Sequence, residues 1–149
     1  MSINIVTYNV FGTLDKGKYL KERTPYIVQE IFKNGKPDIV CLQEATRPII
    51  NKLIKKLPNY FIWTKLDTID IKKMSSRDKD NLLTDGYLVI ISKWNFLQKK
   101  VVYKGSYYDD GILKMILKTK KDMGFNLAVF NVHTSGGTFG KSKEVVKRK

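Results

Sequence analysis

Residues 36–45 read Lys-Pro-Asp-Ile-Val-Cys-Leu-Gln-Glu-Ala, KPDIVCLQEA. The apolar run inside it predicts a strand over 38–43, DIVCLQ, buried on both faces. Glu44 follows at once. An acid placed directly behind a buried strand is either costly or a ligand for a hard divalent cation, which prefers carboxylate oxygens. A second reading puts Glu44 at the N-terminus of a following helix, where the dipole favours negative charge and Thr46 and Pro48 come next. Ligands of open α/β sheets gather beyond the carboxyl ends of strands, where Glu44 stands.

On the N-terminal side, INIVTYNV (3–10) is mostly apolar and β-branched and predicts another buried strand. Thr24-Pro25 has the form of an N-cap with Pro at the first helical position. Leu20, Ile27, Val28, Ile31 and Phe32 then make a helical stripe, and Gly35 is the expected stop. On the C-terminal side, Ile49, Ile50, Leu53, Ile54 and Leu57 form a second amphipathic stripe. YFIWTK (60–65) predicts a third strand, so the first 65 residues read β-α-β-α-β. The polar segment 66–85 predicts a long loop. Four strand-like runs follow at 86–92, 97–103, 111–119 and 126–133, divided by turn signals at Asp109-Asp110-Gly111 and Met123-Gly124. Internal repeats and low-complexity segments are absent. The expected architecture is α/β, a mixed sheet with both helices on one face.

The length of 149 residues fits one domain with a single core. No apolar run approaches the ~20 residues of a membrane span, and no signal-peptide pattern precedes the first strand. The lone Cys41 rules out a disulfide framework, and a reducing intracellular compartment, cytoplasmic or nuclear, is the expectation. The net charge of +14 points to a polyanionic partner such as nucleic acid. The basic residues are 24 Lys and 4 Arg beside abundant Ile and Asn, a bias that A+T-rich codon usage also produces.

Three polar residues stand at predicted strand ends: Asn9, Glu44 in its Gln43-Glu44 pair, and His133, the one histidine of the sequence. Their shared position predicts that they converge at one sheet edge. Gly140-Lys141-Ser142 suggests a phosphate-binding loop, but the first position of that motif falls on Ser135, and Gly136 leaves only three residues between. Seven residues after Ser142 are also too few for the supporting helix and strand. A short basic helix beginning at Ser142 is the simpler expectation.

Taken in order, INIVTYNV, Arg23 on a helix, KPDIVCLQEA, DGYLVIISK and NLAVFNVHT resemble the endonuclease/exonuclease/phosphatase superfamily, the deoxyribonuclease-I-like fold, from residue 3 to about residue 134. The resemblance implies a four-layer α/β sandwich and a Mg²⁺- or Mn²⁺-dependent phosphodiesterase or phosphomonoesterase. It assigns Glu44 to the metal, Asn9 to metal water or phosphate beside it, and His133 to the scissile phosphate and to charge developing in the transition state. The abasic-site endonucleases of the family carry Tyr at the place of His133 and an Asp where this sequence has Phe11. Nonspecific nucleases, tyrosyl-DNA phosphodiesterases, deadenylases and lipid phosphodiesterases or phosphatases remain.

The same resemblance marks two departures. The family's Gly-Asp-x-Asn and Ser-Asp-His blocks have no counterpart, since no His follows His133 and no Asp follows Asp122. Residues 1–149 therefore read as a single, truncated domain covering the family's first half. Its activity alone is expected to be negligible. The bare sheet face, YLVII and LAVF included, is expected to drive self-association or to need a second chain. A non-catalytic basic binding domain is the competing expectation.

Overall fold

The computed structural model describes residues 2–10, 19–64, 86–104 and 111–134. The polar segment 66–85, the Gly-Lys-Ser stretch and the basic helix at Ser142 lie outside them. Strands β1 (Ile5–Asn9), β2 (Ile39–Ala45), β3 (Phe61–Thr64) and β4 (Tyr87–Ser92) form a mixed sheet in the order β1-β2-β4-β3. β1 runs parallel to β2, and β4 is antiparallel to both β2 and β3. Strands β5 (Phe96–Lys104), β6 (Gly111–Leu117) and β7 (Leu127–His133) form a second, antiparallel sheet in chain order.

Helices α1 (Leu20–Ile31) and α2 (Arg47–Lys56) cover one face of the first sheet. Ile27, Val28 and Ile31 of α1 and Ile49, Ile50 and Leu53 of α2 pack on Val40, Leu42, Tyr87, Val89 and Ile91. The other face is covered by the second sheet. Ile39, Cys41, Leu88 and Ile90 meet Leu113, Met115, Leu117 and Val129. The mixed sheet with both helices on one face is as expected, whereas its other face, expected to be bare, is covered. β6 alternates inward Leu113, Met115 and Leu117 with outward side chains, and a strand of that period buries one face only. That buried face lies on the first sheet. All six residues of β4 are buried, so YLVII offers no surface for self-association. In the LAVF run Val129 is buried, while Phe130 is exposed on the outer side.

Three further expectations change. β1, at one edge of the sheet, is apolar but not buried: Ile5 is 51 % exposed. Helix α1 starts before Thr24, with Arg23 N–H bonded to the Tyr19 carbonyl, so Pro25 lies inside the helix rather than at its start. Ile54 belongs to the stripe by spacing yet is exposed at the margin of α2. The start of α2 matches its signals, with Thr46 extended at the N-cap and Pro48 in the first turn. Gly35 ends the turn after α1 at φ +94°, a conformation that favours glycine. A short helix α3 (Lys120–Met123) closes on Gly124 at φ +80° and links β6 to β7.

Asp38 fastens the start of β2. Its carboxylate accepts from the Asn4 N–H at 2.8 Å and pairs with the Lys93 ammonium. Burial pushes its pKa up, but Lys93 and the Asn4 N–H outweigh burial and hold it below the ordinary value of 3.8. A carboxyl with a depressed folded pKa stabilises fully above its unfolded pKa, and that stability is lost as pH falls through the folded value. Asp38→Asn should therefore cost about 1–2 kcal/mol at pH 7. The difference from the parent should shrink as pH drops below about 4. Urea unfolding at pH 7 and pH 3 checks both.

Candidate functional site

β1, β2 and β7 bring Asn9, Glu44 and His133 together. Asn9 and Gln43 are register partners at the ends of parallel β1 and β2. His133 ends β7, whose inward residues 127, 129, 131 and 133 face the first sheet. The Asn9 amide donates from Nδ2 to Glu44 Oε1 at 3.1 Å and lies 3.4 Å from His133 Nε2. His133 Nε2 is 3.4 Å from Glu44 Oε1. The expected convergence is present in these distances. Both Glu44 and His133 are largely shielded, at 13 % and 19 % side-chain exposure.

Glu44 reaches this place through an irregular backbone. Period-two alternation would put it on the helix side with Val40 and Leu42. Instead the β2–β4 register shifts between Leu42 and Ala45. Leu42 and Ala45 both pack in the helix-side core, three residues apart rather than two. The extra residue sends Gln43 towards Asn131 and Glu44 towards His133. Glu44 has φ +53°, the one positive φ outside glycine among the described residues. Such a conformation costs of order 1–3 kcal/mol in a residue with a Cβ and persists where surrounding contacts enforce it. The reading of Glu44 as a helix N-terminal residue is corrected, since it lies inside β2 and α2 begins at Arg47.

Beneath the three residues lies a polar link between the sheets. Gln43 Nε2 donates to Asn131 Oδ1 at 2.6 Å and to Thr7 Oγ1 at 3.3 Å. Asn131 Nδ2 donates to the carbonyls of Leu42 at 2.8 Å and Val89 at 2.9 Å. Asn131 is 1 % exposed. Sequence reasoning passed over it, although an Asn at an inward position of the apolar run LAVFNVH was a visible signal. Arg23 Nη2 donates to the Val10 carbonyl at 2.9 Å and ties α1 to the chain just after Asn9. Cys41 is buried on β2, and burial pushes its thiol up to about 11, so it is no nucleophile at neutral pH.

Among the described residues, no group of three or more His, Cys, Asp and Glu side chains gathers as a metal cage. Glu44 with the Asn9 amide is a sparse donor set. It suits a hard cation such as Mg²⁺, which keeps most of its waters and takes one or two carboxylates together with substrate phosphate. It does not suit zinc, whose structural sites close four protein ligands around the ion.

Both sheets, the helices on one side and the three convergent strand ends can be compared with known proteins. No family model matches the chain, and no curated protein matches it significantly. Solved structures do. An endonuclease/exonuclease/phosphatase family protein from Leptotrichia buccalis superposes at TM-score 0.58 with 10 % identity, over 93 % of this chain and 57 % of its own. The chain has the endonuclease/exonuclease/phosphatase fold. Sphingomyelinase C from Streptomyces griseocarneus shares that fold at TM-score 0.63 and 20 % identity, over 93 % of this chain and 51 % of its own. TDP2 from D. rerio, complexed with a single-strand DNA product, shares it at TM-score 0.59 and 20 % identity, over 86 % of this chain and 44 % of its own. The chain spans about half the length of these proteins. No helix among the described residues is long and apolar enough to cross a membrane.

Proposed function

We propose that this chain carries the metal- and phosphate-binding part of a divalent-cation-dependent phosphodiester hydrolase acting on nucleic acid. The observation behind it is the meeting of Asn9, Glu44 and His133 within 3.1–3.4 Å at the ends of three strands, with Glu44 held at positive φ. Mg²⁺ or Mn²⁺ at Glu44 would polarise a phosphoryl oxygen as a Lewis acid. Glu44 supplies the negative charge that holds the cation. Asn9 fixes the carboxylate through its 3.1 Å bond and presents an amide beside it. His133 offers a ring nitrogen to a phosphate oxygen and steadies charge that develops there.

Nucleic acid is favoured by the net charge of +14. It is favoured too by the DNA product bound to the D. rerio TDP2 of the same fold. A second reading, a lipid phosphodiesterase, draws on the likeness to sphingomyelinase C. A third, a basic binding domain without turnover, draws on the single histidine, which leaves no Asp–His pair within these residues to take a proton from water. General acid–base catalysis contributes typically ~10²–10⁴-fold, so turnover by the 149 residues alone should be low by about that factor.

The test is single-turnover cleavage of single-stranded DNA, single-stranded RNA and sphingomyelin vesicles with Mg²⁺ or Mn²⁺. Slow metal-dependent cleavage of DNA or RNA, absent with chelator, supports the proposal. Cleavage confined to the vesicles moves the site to the lipid reading. Metal-independent binding of DNA without cleavage of any substrate leaves the binding-domain reading.

A further inference from the structure

We infer that Asn131 is the positioning residue that sets Glu44 in its working geometry, acting from the opposite sheet through the bulge in β2. The inference rests on the metal-binding reading of Glu44 given above. It names a residue outside the three that meet at the site.

The bulge that turns Glu44 has a structural cost. Ladder pairing between β2 and β4 is regular up to Leu42↔Val89 and then shifts before Ala45↔Tyr87. At that break two buried carbonyls, Leu42 and Val89, converge on one side-chain amide. Asn131 Nδ2 has two hydrogens, and these carbonyls take both. Since carbonyls only accept, the amide orientation is fixed, and Oδ1 must face the other way. There it accepts from Gln43 Nε2 at 2.6 Å. Gln43 is the residue directly before Glu44, and Asn131 is two residues before His133 on the same inward face of β7. One buried amide thus ties both strands of the ladder, at the last regular pair before the bulge, to the strand that delivers His133.

The consequence for Glu44 is geometric. Left-handed φ is unfavourable for a residue with a Cβ, and relaxation to an extended strand would restore regular alternation. It would also carry the Glu44 side chain to the helix side, away from His133. Asn131 opposes this relaxation by bridging the Leu42 and Val89 carbonyls, which pins the two strands at the last regular pair, and by holding Gln43 inward. No other side chain reaches both carbonyls among the bonds described. The ligand itself is Glu44; Asn131 touches neither cation nor substrate.

The experiment uses the 149-residue chain and three variants: Asn131→Leu, near-isosteric and without hydrogen bonds; Gln43→Met, which breaks the 2.6 Å bond to Asn131 and the 3.3 Å bond to Thr7; and Leu53→Ala, a helix-side core variant destabilised away from the site. Two quantities are read on folded protein: Mn²⁺ affinity by calorimetry, and the Glu44 N–H to Hα scalar coupling, which reports φ without metal. Asn131→Leu should weaken Mn²⁺ binding by about 10–100-fold, as loss of an outer-shell partner does. It should also move the coupling to the extended-strand value. Gln43→Met, which keeps both carbonyl bonds, should fold and shift both readouts in the same direction by less. Leu53→Ala should lower the melting temperature and leave both unchanged. A left-handed coupling with Mn²⁺ affinity within about twofold of the parent in Gln43→Met and in Asn131→Leu overturns the inference. If Asn131→Leu does not fold, Gln43→Met decides alone. A moved coupling with no measurable Mn²⁺ binding in the parent overturns instead the metal reading on which the inference stands.

Discussion

Glu44→Gln is expected to remove divalent-metal-dependent phosphodiester cleavage and to abolish measurable Mg²⁺ affinity at this site. The substitution keeps size and shape. Its Oε1 still accepts from Asn9 Nδ2, as Glu44 does at 3.1 Å. Glutamine also meets the same steric cost at φ +53° as glutamate, so the fold should not distinguish the two. What disappears is the negative charge. Lewis-acid stabilisation of a phosphoryl transition state is worth several kcal/mol, and about 1.4 kcal/mol is a decade in rate. Single-turnover cleavage should fall by about 10²-fold or more, down to the metal-free background. Of the three residues that meet there, Asn9, Glu44 and His133, only Glu44 carries a carboxylate, so neither of the others replaces it. Equal cleavage by the variant and the parent would place the chemistry elsewhere.

The second large effect concerns the core between the sheets. Ile90 is fully buried on β4, in the cluster with Cys41, Leu88, Leu113 and Met115. Ile90→Ala removes three carbons from the seam that joins the two sheets. Buried Ile→Ala changes cost about 2–5 kcal/mol, the spread reflecting how far the cavity collapses. The seam has the second sheet on one side and a central strand on the other, and neither can move without breaking a ladder. The upper half of that range is therefore expected by urea denaturation. Ile5→Ala is the companion measurement. Ile5 is 51 % exposed on the edge strand, and its loss should cost less than about 0.5 kcal/mol. A loss below about 1 kcal/mol at Ile90 would mean that the sheets do not pack as described.

What the sequence made legible follows from the kind of signal each element carries. β2 and β4 are continuous apolar runs, and such runs announce central strands without reference to partners. The stripes of α1 and α2 announced their buried faces in the same way. β1 carries the same apolar signal yet lies at an edge, because composition does not reveal how many neighbours a strand has. The second sheet was visible strand by strand in the alternation of β6. Its placement over Ile39, Cys41, Leu88 and Ile90 depends on long-range packing that no local period encodes.

The site divides along the same line. Asn9, Glu44 and His133 could be found because strand ends are predictable and sheet ligands gather there. The way Glu44 arrives could not. Positive φ is signalled by glycine or asparagine, and Glu44 is neither. The bulge that turns it is enforced by Asn131, 87 positions later in the chain (131 − 44), through bonds to Leu42 and Val89. A side chain that completes another sheet's hydrogen bonds leaves only a faint trace in sequence, here one polar residue at an inward position of β7.

His133 is the only histidine of the chain, so its imidazole gives a proton spectrum free of overlap from any other. Manganese titration followed on that resonance tests the central claim most directly, because paramagnetic broadening falls steeply with distance from the ion. Glu44 Oε1 and His133 Nε2 are 3.4 Å apart. A cation held by Glu44 must therefore broaden the His133 signals at substoichiometric Mn²⁺. Excess Mg²⁺ should restore them, and Glu44→Gln should abolish the effect. Sharp His133 signals at stoichiometric Mn²⁺, or equal broadening in the Glu44→Gln chain, would contradict a metal site at the joined ends of β1, β2 and β7.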